Sequence, residues 1–152
     1  MKGEYENMKK LADLLEKLEY QCLQGTMDKE ITDITFDSRK AEKGCLFFCI
    51  KGAVSDGHAY AKDVAEKGAA VLIVQDKVEV PEEVTVIQVE NSRYAMACIS
   101  AAWFGHPAEK LKTIGITGTK GKTTTTYLVK SILENAGHKT GLIWFRNTLQ
   151  KW

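Results

Sequence analysis

Two stretches, Cys45–Ile50 and Ala70–Gln75, are apolar almost from end to end. A strand with one wet face alternates apolar and polar residues. A run that does not alternate is buried on both faces, which is the condition of a strand inside a parallel sheet covered by helices. The segments around these runs supply the helices. His58 to Lys67 predicts a helix closed by Gly68 as its C-cap. Val84–Val89 predicts a further strand, and Asn91 or Ser92 can cap a helix that runs to about Phe104. Gly105-His106-Pro107 ends it, because a proline disfavours helix in the residue before it. Strands alternating with helices in this way indicate an α/β fold.

Before these elements, Met8, Leu11, Leu14, Leu15 and Leu18 recur at helical spacing and predict an amphipathic helix over Met8–Tyr20. Gly25 and Asp28 mark a loop. Ile31, Ile34 and Phe36 form a short β-prone stretch, which Asp37-Ser38-Arg39-Lys40 interrupts, and Gly44 opens the next strand. Lys51–Gly57 is rich in small residues and reads as a loop. A boundary is expected at Pro107–Lys110, between a domain of residues 1–107 and a second of residues 108–152. The second begins with a strand over Leu111–Thr117, a glycine-rich turn, a helix over Lys122–Ala136, a stop at Gly137 and a strand from about Thr140. Neither an internal repeat nor a low-complexity tract is present.

Composition narrows the function classes. A net charge of +1 gives no electrostatic reason to bind nucleic acid or an anionic membrane. No apolar run approaches the roughly 20 residues of a membrane span. The start, MKGEYENMKK, lacks the apolar core of a secretory signal. Cys22, Cys45, Cys49 and Cys98 include no C-x-x-C pair and no histidine at zinc-ligand spacing, so all four are expected to be buried, reduced thiols of a cytoplasmic protein.

The stretch that carries chemistry is Ile116-Thr117-Gly118-Thr119-Lys120-Gly121-Lys122-Thr123-Thr124-Thr125. The expected strand ends at the first glycine of this stretch and the helix starts at the lysine. Glycines let successive N–H groups curl inward, and the positive end of the helix adds to them, making a concave anion site. Lys122 is placed to reach terminal phosphates and the Thr123 hydroxyl to meet Mg²⁺. The general phosphate-loop pattern wants four residues between its first glycine and the G-K pair, whereas Gly118 leaves two and Gly115 leaves five. A generic ATPase or GTPase loop is therefore not what is written.

The shortened form, T-G-T-x-G-K-T-T-T, resembles the ATP loop of the Mur ligases. The likeness extends upstream through Ile31 to Arg39 with Gly44-Cys45-Leu46-Phe47-Phe48, Asp56-Gly57-His58, Ala65 to Ala70, Asn91-Ser92-Arg93 and Trp103 to Pro107. It covers about residues 8 to 143. The resemblance implies a small α/β domain that binds a UDP-sugar, followed by the first β–loop–α–β unit of a nucleotide-binding domain. It implies that Ser38, with Phe36 beside it, contacts the uridine end of the substrate, and that Ala53, Val54 and Ser55 lie along the nucleotide. It implies that Gly118, Thr119, Lys120, Gly121, Lys122, Thr123 and Thr124 hold ATP, with Lys122 catalytic through charge neutralisation and Thr123 on Mg²⁺.

The T-G-T before the G-K is that of the family member that adds the third amino acid. This implies ATP-dependent ligation, through an acyl-phosphate, of meso-diaminopimelate or L-lysine to UDP-N-acetylmuramoyl-L-alanyl-D-glutamate. The member that adds D-alanyl-D-alanine usually has serine at the position of Thr119. A module that only binds a UDP-sugar is the alternative from another class. After Ile143 the run Trp144 to Trp152 departs from the family, and the chain reads as an N-terminal fragment. His58 is expected to be a helix-start residue and His106 structural, while Arg93, Trp103 and Phe104 suit packing on a helix face and its end.

Overall fold

The computed structural model describes residues 8–53 and 55–143. They fall into two compact units, divided between Leu111 and Lys112. In the first, the elements run β1 (Lys9–Lys10), α1 (Leu11–Leu15), β2 (Gln21–Gln24), β3 (Glu30–Ile31), β4 (Ile34–Thr35), β5 (Leu46–Phe48), α2 (Ala61–Glu66), β6 (Val71–Val74), β7 (Thr85–Gln88) and α3 (Ser92–Trp103). A 3₁₀ turn over Gly57–Tyr60 leads into α2. The main sheet has the order β2-β7-β6-β5-β4, with β4 to β7 parallel and β2 antiparallel on the β7 edge.

Burial explains why the central strands carry no polar face. Successive strand residues point to opposite sides. Leu46, Phe48, Val71, Ile73 and Ile87 join α1 and α3 in one core, with Leu11, Leu14, Leu15, Ile99 and Trp103. Cys45, Phe47, Cys49, Leu72, Val74 and Val86 join α2 in the other, with Ala61, Val64 and Ala65. Both faces are dry, so every residue of Leu46–Phe48 and Val71–Val74 is buried. At about 25 cal/mol per Å² of apolar surface, this two-sided burial is the main force that orders the sheet. The loops at its carboxyl ends are thereby held on a rigid platform.

In this first unit four expectations are corrected. The helix over Met8–Tyr20 is one short helix, Leu11–Leu15, because Lys9 and Lys10 instead pair antiparallel with Ile31 and Glu30. The periodic leucines were reporting burial: Leu11, Leu14 and Leu15 are all in the core, and Leu18 packs against it. Strand β2, Gln21–Gln24, lies between the expected helix and the loop marked by Gly25 and Asp28, where no element was expected. The thiols are not all buried, since Cys22 is exposed and Cys98 half-buried, while Cys45 and Cys49 are buried; all four are free. Finally, Trp103 packs in the core, but Phe104 is exposed, and Arg93 is exposed and donates to the Lys51 carbonyl at 3.0 Å.

In the second unit the described residues contain a single helix, α4 (Lys122–Asn135). The strands expected over Leu111–Thr117 and from Thr140 are not formed among the described residues. A strand is defined by the ladder it shares with a neighbour, and neither segment has one. No described residue from Leu111 to Ile143 is buried. Tyr127, Leu128 and Ile132 on α4 are exposed. The tail from Trp144 to Trp152 lies outside the described residues. Among the described residues no helix is long and apolar enough to cross a membrane.

Candidate functional site

Two loop systems carry the residues singled out by sequence, one in each unit. In the first unit, the carboxyl ends of the parallel strands bring together the turn after β4, the loop after β5 and the turn after β6. Ligands of open α/β sheets bind outside these strand ends.

The turn after β4 is built by Asp37. Its carboxylate accepts from the Arg39 backbone N–H at 3.1 Å and from Arg39 Nε and Nη2 at 2.9 and 2.7 Å. The Lys40 N–H closes the turn on the Asp37 carbonyl at 2.9 Å. The Arg39 side-chain bonds, then its backbone N–H, hold the Asp37 carboxyl down to about 2. Asp37 and Arg39 thus spend their charges on each other. Ser38 is left half-buried at the tip, its carbonyl held by Lys67 Nζ at 2.7 Å. Phe36, beside it, is 65% exposed, an unusual setting for a phenylalanine and a surface on which a planar ring can stack.

The loop after β5 folds back on itself. Lys51 and Asp56 form an antiparallel bridge, the Gly52 N–H donates to the Ser55 carbonyl at 2.9 Å, and the Gly57 N–H donates to the Ile50 carbonyl at 2.9 Å. Gly57 is obligatory by packing: a Cβ there would stand 2.6 Å from the Ile50 nitrogen. Ala53 and Ser55 are exposed, and Val54 lies outside the described residues. The Asp56 carboxylate caps the 3₁₀ turn by accepting from the His58 N–H at 2.9 Å and also meets His58 Nδ1 at 2.5 Å. The backbone bond, then the ring, holds Asp56 below the ordinary carboxylate range. His58 does more than start a helix. Its Nε2 accepts from the Gln75 and Asp76 N–H groups after β6, at 3.0 and 3.3 Å. Backbone amides only donate, so the network assigns the ring proton to Nδ1 and the lone pair to Nε2. Sequence gave no sign of this role, because its partners stand 17 and 18 residues away.

The second loop system is the turn into α4. Gly118 has φ of 151° and Gly121, the N-cap, has φ of 74°. Gly121 thus occupies the left-handed region that other residues enter only at a cost. Among the described residues, no protein hydrogen bond occupies the N–H groups of Gly118 to Thr124; the next amide, Thr125, donates to the Gly121 carbonyl at 2.9 Å. No acidic side chain lies in the first turn of α4 to neutralise its positive end. Lys122 Nζ folds back to within 2.5 Å of the Gly118 carbonyl, so the ammonium sits beside the turn. Thr119, Lys120, Thr123 and Thr124 are all exposed. The unsatisfied amides and uncompensated helix start fit a polyphosphate, and the Thr123 hydroxyl is free of protein partners among the described residues.

Parallel strands covered on both faces, with ligand-accessible loops at their carboxyl ends, define an α/β protein. The family follows from comparison with known proteins. Residues 30–113 match the catalytic domain of the Mur ligase family, and residues 116–151 match the Mur ligase middle domain. The chain belongs to the Mur ligase family. It is 48% identical over 133 residues to a UDP-N-acetylmuramoyl-L-alanyl-D-glutamate–2,6-diaminopimelate ligase of Clostridium perfringens, a match covering 88% of this chain and 28% of that protein. The corresponding ligase of Bacillus licheniformis is 47% identical over 119 residues, covering 78% and 24%. Among solved structures it resembles MurF from Acinetobacter baumannii, with a TM-score of 0.57 and 30% identity over 84% of this chain and 28% of that one. The chain therefore spans about a quarter of the length of the relatives it matches.

Proposed function

We propose that this chain carries the substrate-binding start of an ATP-dependent ligase that adds 2,6-diaminopimelate to UDP-N-acetylmuramoyl-L-alanyl-D-glutamate in peptidoglycan synthesis. In this reading residues 1–107 form the UDP-sugar domain. Phe36 and Ser38 meet the uridine, and Ala53 to Ser55 run along the nucleotide. Residues 108–152 begin the ATP-binding domain. Gly118 to Thr124 hold the ATP phosphates, Lys122 neutralises charge on the phosphoryl group being transferred, and Thr123 holds Mg²⁺. Activation of the substrate carboxylate as an acyl-phosphate asks mainly for positioning and charge neutralisation. The remaining catalytic elements and the selection of the amino acid belong to the length that the relatives have and this chain does not span.

The observation that carries this reading is the row of unoccupied amides from Gly118 to Thr124 at the bare start of α4, in a chain of this family. The choice of diaminopimelate rests on the relatives that bear that name at 48 and 47% identity, against 30% for MurF. Calorimetry with UDP-N-acetylmuramoyl-L-alanyl-D-glutamate and with Mg-ATP tests it. Binding of both is expected. Binding of the UDP-sugar alone would favour a module that only recognises that sugar nucleotide, and binding of neither would refute the reading.

A further inference from the structure

The loop after β5 presents a puzzle of stability. From Lys51 to Asp56 every described residue is exposed, so none of the described side chains anchors the loop by burial. The described ties that shape it are polar. The Gly52–Ser55 bond lies within the loop itself. The Lys51–Asp76 ion pair, at 2.5 Å, joins two exposed side chains, and the Arg93 bond to the Lys51 carbonyl is exposed as well. Exposed pairs of this kind contribute little once water and salt compete. One tie differs: the His58 side chain is only 10% exposed. It holds Asp56, at the end of the loop, and the Gln75 and Asp76 amides, at the carboxyl end of β6.

We propose that His58 is a positioning residue for the UDP-sugar site, bolting the loop after β5 to the end of β6 and so fixing where Ala53 and Ser55 stand. The inference rests on the reading of that loop as part of the nucleotide site. The ring must donate at Nδ1 to keep Asp56, and accept at Nε2 to satisfy two backbone amides that no strand partner takes. An apolar side chain of equal volume would fill the space but leave both amides unpaired and the loop free to slide. Asp56, His58 and Asp76 also converge closely enough to suggest a metal site. However, both ring nitrogens are already spent and Asp76 holds Lys51, so the cluster serves as a clamp.

The test compares two variants of the 152-residue chain that differ in one atom's reach. His58→Gln puts a carbonyl oxygen near the place of Nε2 and keeps an acceptor for the β6 amides. His58→Asn is shorter and cannot reach them. UDP is titrated calorimetrically into each. Affinity is expected to fall about tenfold in His58→Asn, the scale of one hydrogen bond, and to stay within about threefold of the parent in His58→Gln. Val64→Ala, on the buried face of α2, lowers stability without touching the clamp and is expected to leave UDP affinity unchanged. Equal affinity in the Asn and Gln variants, or an equal loss in Val64→Ala, would overturn the proposal. Hydrogen exchange at the Gly52 and Gly57 amides gives a ligand-free readout. It should be faster in the Asn variant than in the Gln variant, and equal rates would likewise overturn the clamp. If the parent chain fails to bind UDP, the nucleotide reading falls, and the exchange rates still decide the role of His58.

Discussion

Replacing Gly57 by alanine adds one methyl group where the backbone leaves no room for it. The new Cβ would lie 2.6 Å from the Ile50 nitrogen, 3.1 Å from the Cys49 Cα and 3.1 Å from the Ile50 carbonyl oxygen. Carbon contacts are comfortable at about 3.5–4.0 Å, so the loop must retreat by nearly 1 Å. None of the opposing atoms belongs to a side chain that could rotate away. Overpacking of this kind costs about 2–3 kcal/mol. For a unit of this size 1 kcal/mol moves the melting temperature by roughly 4 °C. Gly57→Ala should therefore melt about 10 °C lower by circular dichroism, and it should weaken UDP, because the retreat breaks the Gly57–Ile50 bond that shapes the loop. Gly121→Ala provides the contrast. Nothing lies within 4 Å of its Cβ, so its cost arises only from φ of 74°, about 1–2 kcal/mol. It should leave the melting of the first unit unchanged and weaken Mg-ATP instead. A Gly57→Ala melt within about 2 °C of the parent, with UDP affinity intact, would refute this packing argument.

Acid should act on the turn after β4 in a defined window. The Asp37 carboxyl titrates at about 2 in the folded chain against 3.8 for a free one, so the stability it lends is full above pH 3.8 and is lost as pH falls through about 2. Carbon-detected NMR of Asp37 should show this midpoint, and Arg39→Ala should raise it toward 3.8. Alkylation followed by mass spectrometry should label Cys22 first. Cys49 should stay unmodified at pH 8 under native conditions, since burial pushes its thiol up to about 12. Limited proteolysis should cut first between Lys112 and Ile143, where no described residue is buried. Equal resistance in both units would count against that expectation.

The sheet was legible because burial on both faces is written directly into Cys45–Ile50 and Ala70–Gln75. The parallel strands there needed no knowledge of partners. The start of α3 was legible from Asn91, whose side chain accepts from the Arg93 and Tyr94 N–H groups at 3.0 and 3.1 Å. The opening stretch was not, because Lys9–Lys10 takes its conformation from Glu30–Ile31, some 20 residues on, and periodicity sees only local spacing. β2 was invisible for the same reason: Gln21–Gln24 is short and half polar, and it is a strand only because Val86–Gln88 lies beside it. The start of α4 at Lys122, after Gly121, could be read because its signal is local. The clamp at His58 could not, because it joins two strand ends that only the folded sheet brings together.

If the turn into α4 is a polyphosphate site, its backbone amides must respond to a nucleotide. The direct measurement is a titration of the ¹⁵N-labelled chain with Mg-ATP, following the backbone amides of Gly118 to Thr124 in the parent and in Lys122→Ala. Large downfield shifts confined to those amides are expected, saturating in the parent and weakened by at least about tenfold in Lys122→Ala, the equivalent of one charge-assisted contact. Amides that do not move, or that move equally in both proteins, would contradict a polyphosphate site there.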